Sequence, residues 1–323
     1  MMTMRSNRCG SCLRTASATA TINAPTRTRV PPIAVATINT TPAITLPPFG
    51  ASCLHSTNTF RTTTLARRSL STMSAQHGHS EACCNIPPIV SKGYDAKGTY
   101  DEVGGFKTYV TGPPSATKGV VTIYDIFGYY PQTLQGADIM ATSDDTKYRV
   151  LMPDWFKGEP CPLSIFPPDT EEKQKKLGAF FEKNPPNGLV SLLPDYVKAA
   201  SAKYPDIKEW AVLGFCWGGK AVSLMTSSSE NPFKVGIQAH PAMLDPSDAS
   251  KIKVPSAVLA SKDESADDVK KFEANLSVAK HVETYGDQIH GWMAARADLE
   301  DERVKSEYKR GYETVLKFLS QHL

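Results

Sequence analysis

The hexapeptide at residues 214–219 constrains this chain more than any other stretch. It reads Gly214-Phe215-Cys216-Trp217-Gly218-Gly219, follows an apolar run at 210–213 and precedes an apolar, helix-like run at 220–225. A buried strand, a sharp turn between glycines and a helix form the nucleophile elbow, in which the residue at the tip reacts. Glycine fits where strand and helix backbones nearly touch. The pattern predicts Cys216 as a nucleophile; a tight turn around a buried, inert cysteine is the alternative.

The first eighty residues differ in composition from the rest. They hold eight arginines, no lysine and no acidic residue, and they are rich in Ser, Thr, Ala and Pro. Without those eight, 28 basic residues face 33 acidic ones, a net charge of −5 where the whole chain has +3. This composition is typical of an organellar transit peptide. We expect residues 1–72 to be a disordered leader for mitochondrial import and residues 73–323 to be the folded domain. Translation from Met73 would instead give a cytoplasmic protein.

Several classes of function find no support in the sequence. The basic residues of the leader account for the positive net charge, so the chain has no basic stripe for nucleic acid. No window reaches the roughly 18 uninterrupted apolar residues of a membrane span. The seven cysteines have no disulfide spacing, which indicates a reducing compartment. The metal-ligand types that cluster in a polar segment at residues 77–84 do not form a zinc pattern, and neither does Cys9-x-x-Cys12, so we predict no metal. That cluster comprises His77, His79, Cys83 and Cys84.

Predicted strands and helices alternate after about residue 85. This alternation predicts an α/β fold: a doubly wound, mainly parallel sheet in a single domain. A Pro-rich stretch at 156–169 is predicted to be a loop across the mouth of a site. The predicted strands are 104–110, 120–124, 149–153, 210–213, 235–239, 257–260 and 282–285; the predicted helices are 134–142, 170–182, 189–203, 220–225, 266–278 and 303–320.

Polar residues follow four of the predicted strands. They are Asp125, Cys216, Asp263 and His290. Sites in parallel sheets lie beyond the carboxyl ends of the strands, so these side chains are expected to converge. A thiol needs a base to become a thiolate, and that base needs an orienting acid. Nucleophile, acid and histidine follow in the order of the α/β-hydrolase triad, which predicts catalysis by Cys216, Asp263 and His290.

Other residues compete for these roles. Glu264 or Asp267 could be the acid in place of Asp263, which could instead cap the following helix. His240 ends a predicted strand and is expected to support the site, or less directly to act as the base. His281 and Glu283 form the His-x-Glu pair of glutaminase-type amidotransferases, but they lie at the start of a predicted strand, away from the expected site.

Acyl transfer also needs donors for the oxyanion. The elbow offers the backbone N–H of Trp217, and the loop after an earlier strand offers that of Ile126. Asp125 would lie at the edge of the thiol, where it could accept the S–H hydrogen bond and keep the thiol neutral until substrate binds. An apolar substrate pocket is expected from aromatic residues around this site. These residues are Phe127, Trp155, Trp217 and Trp292.

The chain resembles the dienelactone hydrolase (carboxymethylenebutenolidase) family over residues 85–323, in its fungal form. The resemblance implies an α/β-hydrolase fold and hydrolysis of small esters or lactones through an acyl-cysteine on the Cys216–His290–Asp263 triad, without a cofactor, in a monomer or homodimer. The matching stretches are residues 83–88, Ile123-Tyr124-Asp125-Ile126-Phe127-Gly128, the hexapeptide at 214–219, Lys262-Asp263 and His290-Gly291-Trp292.

Two departures from the family bear on the thiol-switching mechanism and on the substrate, respectively. Bacterial members have a glutamate where this chain has Asp125, and an arginine that binds the substrate carboxylate where this chain has Ala294. The nearest arginine is Arg296, so no substrate arginine is assigned. A hydrolase-fold protein that binds a ligand or partner without turnover remains the alternative to an enzyme.

Overall fold

One eight-stranded sheet organises the part of the chain that the structure, a computed structural model, describes: residues 89–143 and 146–323. The spatial order of the strands is β1-β2-β4-β3-β5-β6-β7-β8. The pairs β1–β2 and β2–β4 are antiparallel, and every other neighbouring pair is parallel. The strands are β1 Thr99–Val103, β2 Phe106–Thr111, β3 Lys118–Ile123, β4 Tyr148–Pro153, β5 Glu209–Phe215, β6 Val235–Ala239, β7 Ser256–Ser261 and β8 Lys280–Tyr285.

Within the described ranges there are eight α-helices: α1 to α7 lie between strands, and α8 follows β8. One group of helices packs around α5, which contacts α3 and α6, while α1 and α8 pack against each other. Helices on both faces bury the inner strands, and β6 and β7 have no exposed residue. The helices are α1 Pro131–Thr142, α2 Glu171–Lys183, α3 Pro186–Val190, α4 Leu193–Lys203, α5 Trp217–Thr226, α6 Pro246–Ala249, α7 Ala266–Asn275 and α8 Glu302–His322.

The predicted α/β architecture is confirmed, with two local corrections. Residues 104–110, predicted as one strand, contain the turn of a hairpin: Gly104 and Gly105 have φ of +58° and +81° and join β1 to β2. The predicted helix at 189–203 is two helices, because Pro194 lies in the first turn of α4 and cannot donate a backbone hydrogen bond to a preceding turn.

The predictions for the amino-terminal region lie outside the described residues. These are the leader at 1–72, its boundary at Met73, the pair Cys9 and Cys12, and the cluster of His77, His79, Cys83 and Cys84. Within residues 89–143 and 146–323, no helix has the length and apolar character needed to cross a membrane. No group of three or more potential metal ligands is found in those same ranges.

Candidate active site

Five polar side chains follow neighbouring strands of the sheet where those strands end. Asp125 comes after β3, Cys216 after β5, His240 after β6, Asp263 after β7 and His290 after β8. These strands are parallel to one another, so all five residues lie at the same edge of the sheet. The convergence expected from the sequence is therefore present.

The elbow holds Cys216 in a backbone conformation that side-chain-bearing residues rarely adopt. Its φ is +53° and its ψ is −112°. The neighbouring glycines are required sterically: a Cβ on Gly214 would lie 2.1 Å from the Gly218 carbonyl oxygen, and one on Gly218 would lie 2.2 Å from the Ile123 oxygen. Cys216 lies at the carboxyl end of β5, directly before α5, and is 8% exposed.

The imidazole of His290 links a carboxylate to the thiol. Its Nδ1 lies 2.6 Å from Glu264 Oε1, which leaves Nε2 for Cys216. Burial alone would lower the pKa of His290, but hydrogen bonds to Cys216 and Glu264 outweigh burial and raise that pKa to about 10. A histidine that stays protonated at neutral pH favours the ionised form of a neighbouring thiol. The arrangement is therefore suited to a thiolate–imidazolium pair.

Glu264, and not Asp263 as predicted, makes the carboxylate contact with the ring of His290. Asp263 instead accepts a hydrogen bond from the backbone N–H of His290, at 2.8 Å, and its side chain is otherwise exposed. Glu264 is 6% exposed and its second oxygen accepts from the backbone N–H of Ser261. Asp267, the other alternative acid, is exposed in the first turn of α7. Glu264 therefore orients the ring of His290, and Asp263 holds its backbone.

The two backbone amides predicted as oxyanion donors belong to Trp217, in the elbow, and to Ile126, in the loop after β3. Trp217 is the first residue of α5, where a helix leaves its N–H groups without intrahelical acceptors. Ile126 follows β3, and among the described residues no acceptor is found for its N–H, although its carbonyl accepts from Cys161 N–H at 2.8 Å. Their role as donors to a developing oxyanion stays a prediction.

Asp125 does not make the thiol contact expected of it among the described contacts. Its two oxygens accept backbone N–H hydrogen bonds from Phe127 at 2.9 Å and from Ala295 at 3.2 Å. The side chain is 2% exposed, and burial raises the pKa of Asp125 to about 6 against the lowering effect of these two bonds. The carboxylate therefore joins the loop after β3 to the loop that carries His290.

The aromatic residues predicted to form one pocket lie in three places. Trp155 and Trp217 line a surface cavity of about 210 Å³. Phe127 packs against Phe166, with ring centroids 5.9 Å apart. Trp292 is fully buried, and its ring centroid lies 4.3 Å from that of Tyr285. It is therefore a core residue, and its assignment to the substrate pocket was wrong. A second cavity, of about 330 Å³, borders His290 and Glu264.

The rival histidines differ sharply in position. His240 is fully buried, with its ring centroid 5.0 Å from that of His290. His281 lies on β8 opposite Ala257, near the start of β7. Its Nε2 is 3.2 Å from Glu283 Oε2, and Glu283 also forms an ion pair with Arg310. The His-x-Glu pair of an amidotransferase is thus present in sequence but remote from the elbow.

Sequence reasoning missed the contacts that brace the histidine loop. Arg296 donates from Nη1 to the carbonyl of His290 at 2.5 Å, and its guanidinium lies 4.5 Å from the centroid of the Phe166 ring. Phe166 belongs to the Pro-rich stretch predicted to cross the mouth of the site. A guanidinium stacked on an aromatic face is a stable pairing, but no periodicity in the sequence relates the two residues.

Comparison with known proteins agrees with this fold. Residues 106–323 match the sequence profile of the dienelactone hydrolase family. An uncharacterized AIM2 family protein of Schizosaccharomyces pombe is 37% identical over 236 residues, 71% of this chain and 92% of that protein. A carboxymethylenebutenolidase homolog of Xenopus tropicalis is 26% identical over 259 residues, 76% and 99% of the two chains. The crystal structure of dienelactone hydrolase from Anabaena variabilis superposes with a TM-score of 0.50 at 14% identity and covers 70% of this chain and 97% of that one. The fold is that of the α/β-hydrolases.

Proposed function

The chain belongs to the dienelactone hydrolase family, and on that premise we propose that this ester or lactone hydrolase works through an acyl-cysteine on Cys216. The observation that carries the proposal is the line from Glu264 through the His290 ring to Cys216 at the tip of a strained elbow. A nucleophile, a base and an orienting carboxylate in this order are what nucleophilic catalysis requires.

Acylation follows from this geometry. The Cys216 thiolate attacks the carbonyl carbon, a C–S bond forms and the carbonyl π electrons move onto oxygen. The amides of Ile126 and Trp217 donate to that oxyanion. When the oxyanion collapses, the C–O bond to the leaving group breaks and His290 Nε2 gives its proton to the departing alkoxide. From a lactone, the new hydroxyl stays attached to the acyl group.

Deacylation uses the same groups in the reverse proton sense. Water attacks the thioester carbon and gives a proton to Nε2 of the now neutral His290, while Glu264 stabilises the imidazolium that forms. The second tetrahedral oxyanion collapses, the C–S bond breaks and the thiolate of Cys216 leaves. The carboxylic acid departs, and the thiolate–imidazolium pair is restored.

The substrates we propose are small esters or lactones, and a carboxylate on the substrate is not required. The cavity beside His290 is lined by the carboxylates of Asp263, Glu264 and Asp268, and His290 is the only basic residue among its lining residues. Arg296 is engaged with the backbone of His290 and with Phe166. These contacts favour neutral substrates over anionic ones at this cavity.

The experiment compares Cys216→Ala with Cys161→Ala on 4-nitrophenyl acetate and dihydrocoumarin. Cys161 is the matched control, because it is also a free, buried cysteine and burial, with Asp125 and Cys216 nearby, raises the pKa of its thiol to about 11. We expect Cys216→Ala to lose at least about 100-fold in kcat/KM and Cys161→Ala to stay within about twofold. Mass spectrometry of quenched wild type should find the acetyl group on Cys216.

Turnover by Cys216→Ala at the wild-type rate would overturn the acyl-cysteine mechanism. Wild type that is alkylated at Cys216 by iodoacetamide, yet hydrolyses no ester, lactone or thioester, would favour a binding protein without turnover. Release of ammonia from glutamine would favour the amidotransferase alternative.

A further inference from the structure

His240 is a buried imidazole that the proposed reaction does not use. It follows β6 with φ of +37°, is fully buried, and neither ring nitrogen has a hydrogen-bond partner among the described residues. Its ring lies between two others: the centroid of Phe215 is 5.8 Å away and that of His290 is 5.0 Å away, the latter in a T-shaped arrangement with an interplanar angle of 67°. Phe215 is the residue immediately before Cys216.

The backbone around His240 is fixed to the nucleophile. The N–H of Cys216 donates to the carbonyl of Ala239 at 3.1 Å, and the N–H of Ala242 donates to the carbonyl of Cys216 at 2.9 Å. The N–H of His240 itself donates to Leu259 on β7 at 2.7 Å. The ring therefore has a set position relative to the thiol, whereas His290 comes from a loop after β8.

The geometry points to His240 as a positioning residue for His290: its ring, packed between Phe215 and the base, holds the imidazole of His290 within reach of Cys216. This inference rests on the proposed function. In a T-shaped pair the electropositive edge of one ring meets the electron-rich face of the other. The contact between the two rings, whose centroids are 5.0 Å apart, therefore fixes the orientation of the His290 imidazole.

The surroundings keep the two imidazoles in different charge states. Burial, followed by the nearby His290 and Arg296, lowers the pKa of His240 well below its ordinary value. The groups that act on His290 are Cys216 after β5 and Glu264 after β7, both of which raise its pKa. Asp125 after β3 and Arg296 on the histidine loop also lie near it. One proton on the pair therefore resides on His290.

The test is the matched pair His240→Phe and His240→Met. Phenylalanine keeps an aromatic face against His290, whereas methionine fills similar space without a ring. The readouts are kcat and KM on 4-nitrophenyl acetate, the pH dependence of the alkylation of Cys216 by iodoacetamide, and Tm. For His240→Met we expect kcat to fall about tenfold with little change in KM, and the alkylation midpoint to move to higher pH. For His240→Phe we expect kcat within about threefold of wild type and an unchanged alkylation midpoint.

Two outcomes would overturn the inference: His240→Met with the kcat and alkylation midpoint of wild type, or folded His240→Phe as impaired as folded His240→Met. If either variant fails to fold, ¹⁵N NMR of the histidines in wild type decides. A resonance assigned to His240 that becomes protonated near pH 6.5 would contradict it, and one that stays neutral to pH 5 would support it. Alkylation needs no turnover, so a chain without esterase activity would refute the proposed function while the alkylation midpoints still test His240.

Discussion

Glu264 sets the orientation of the imidazole of His290, the proposed base. One of its oxygens lies 2.6 Å from Nδ1 of His290 and the other accepts from the backbone of Ser261. A carboxylate held at both oxygens has one orientation, so it fixes the ring plane of His290 and the nitrogen that carries the proton. Asp263, one residue earlier, acts on the same histidine only through its backbone.

Exchanging these two carboxylates for amides separates their roles. In Glu264→Gln the amide cannot serve both contacts, because an oxygen turned toward His290 leaves an NH₂ facing the N–H of Ser261. We expect kcat/KM on an aryl ester to fall by roughly 10²–10⁴. In Asp263→Asn the amide oxygen still accepts from the backbone of His290, and we expect a loss below about tenfold. Steady-state kinetics of the two variants at equal Tm checks this, and a larger loss in Asp263→Asn would restore the acid inferred from sequence.

Chain order alone was enough to pair Cys216 with His290, but it could not choose between adjacent acids. Asp263 and Glu264 occupy one turn after β7, and the backbone of that turn determines which side chain reaches the ring. Trp292 fails for a different reason. An indole fits either a pocket or a core, and the space it fills is left by Gly311 on α8, where a Cβ would lie 2.6 Å from the indole. That contact joins residues far apart in the chain.

The elbow is the element that places Cys216 at the edge of the sheet where the candidate active site lies. Cys216 stands where β5 ends and α5 begins, and three close approaches of backbone allow its positive φ. A Cβ built on Gly214 would lie 2.1 Å from the backbone of α5, and one built on Gly218 would lie 2.2 Å from the backbone of β3. A Cβ built on Gly219 would lie 3.0 Å from Pro241, which follows β6. A strained nucleophile persists only where its surroundings over-determine it. Here three strands and one helix do so.

Gly218→Ala tests this constraint, with Gly178→Ala as its control. The new Cβ at position 218 would lie 2.2 Å from the carbonyl oxygen of Ile123, and a strand backbone in mid-sheet cannot move aside cheaply. We expect a loss of about 3 kcal/mol or more, which is a fall in Tm of at least roughly 6 °C. Gly178 is exposed within α2 with no atom within 4 Å of a Cβ, so alanine should raise stability by about 0.5–1 kcal/mol. Calorimetry of both variants measures this; a wild-type Tm for Gly218→Ala would contradict it.

Elements were predictable where hydrophobic pattern and turn chemistry agreed. Residues 235–239 form β6 with the predicted bounds, because a short, mainly apolar run between polar residues is typical of a buried strand. β1 went unnoticed because three of its five residues, in the sequence Thr-Tyr-Asp-Glu-Val, are polar. It is an edge strand, paired only with β2, so its pairing rather than its burial defines it. The short α6 lacks any repeat that a sequence could display.

Across the whole molecule, Asp125 connects the two loops that complete the site. It binds the amide of Phe127 beside the proposed oxyanion donor and the amide of Ala295 on the histidine loop, which is 170 residues further along the chain. The carboxylate is buried, and ionising it there is unfavourable, which is why its pKa is raised to about 6. The stability of the domain is therefore coupled to the protonation of one site residue.

The sign of that coupling is fixed by the direction of the shift. In the unfolded chain Asp125 has a pKa near 3.9, so between about pH 4 and 6 the folded state holds a proton that the unfolded state has lost. This contribution to stability is complete below pH 4 and is lost as the pH rises through about 6, with an upper limit of about 3 kcal/mol.

Asp125→Asn cannot titrate, and its unpaired contact with the amide of Ala295 adds an offset that does not depend on pH. We therefore expect the Tm of wild type minus that of Asp125→Asn to fall by several degrees between pH 4 and 6.5 and to stay level above pH 7. A flat curve for Asp125→Asn across that range would contradict the raised pKa of this carboxylate.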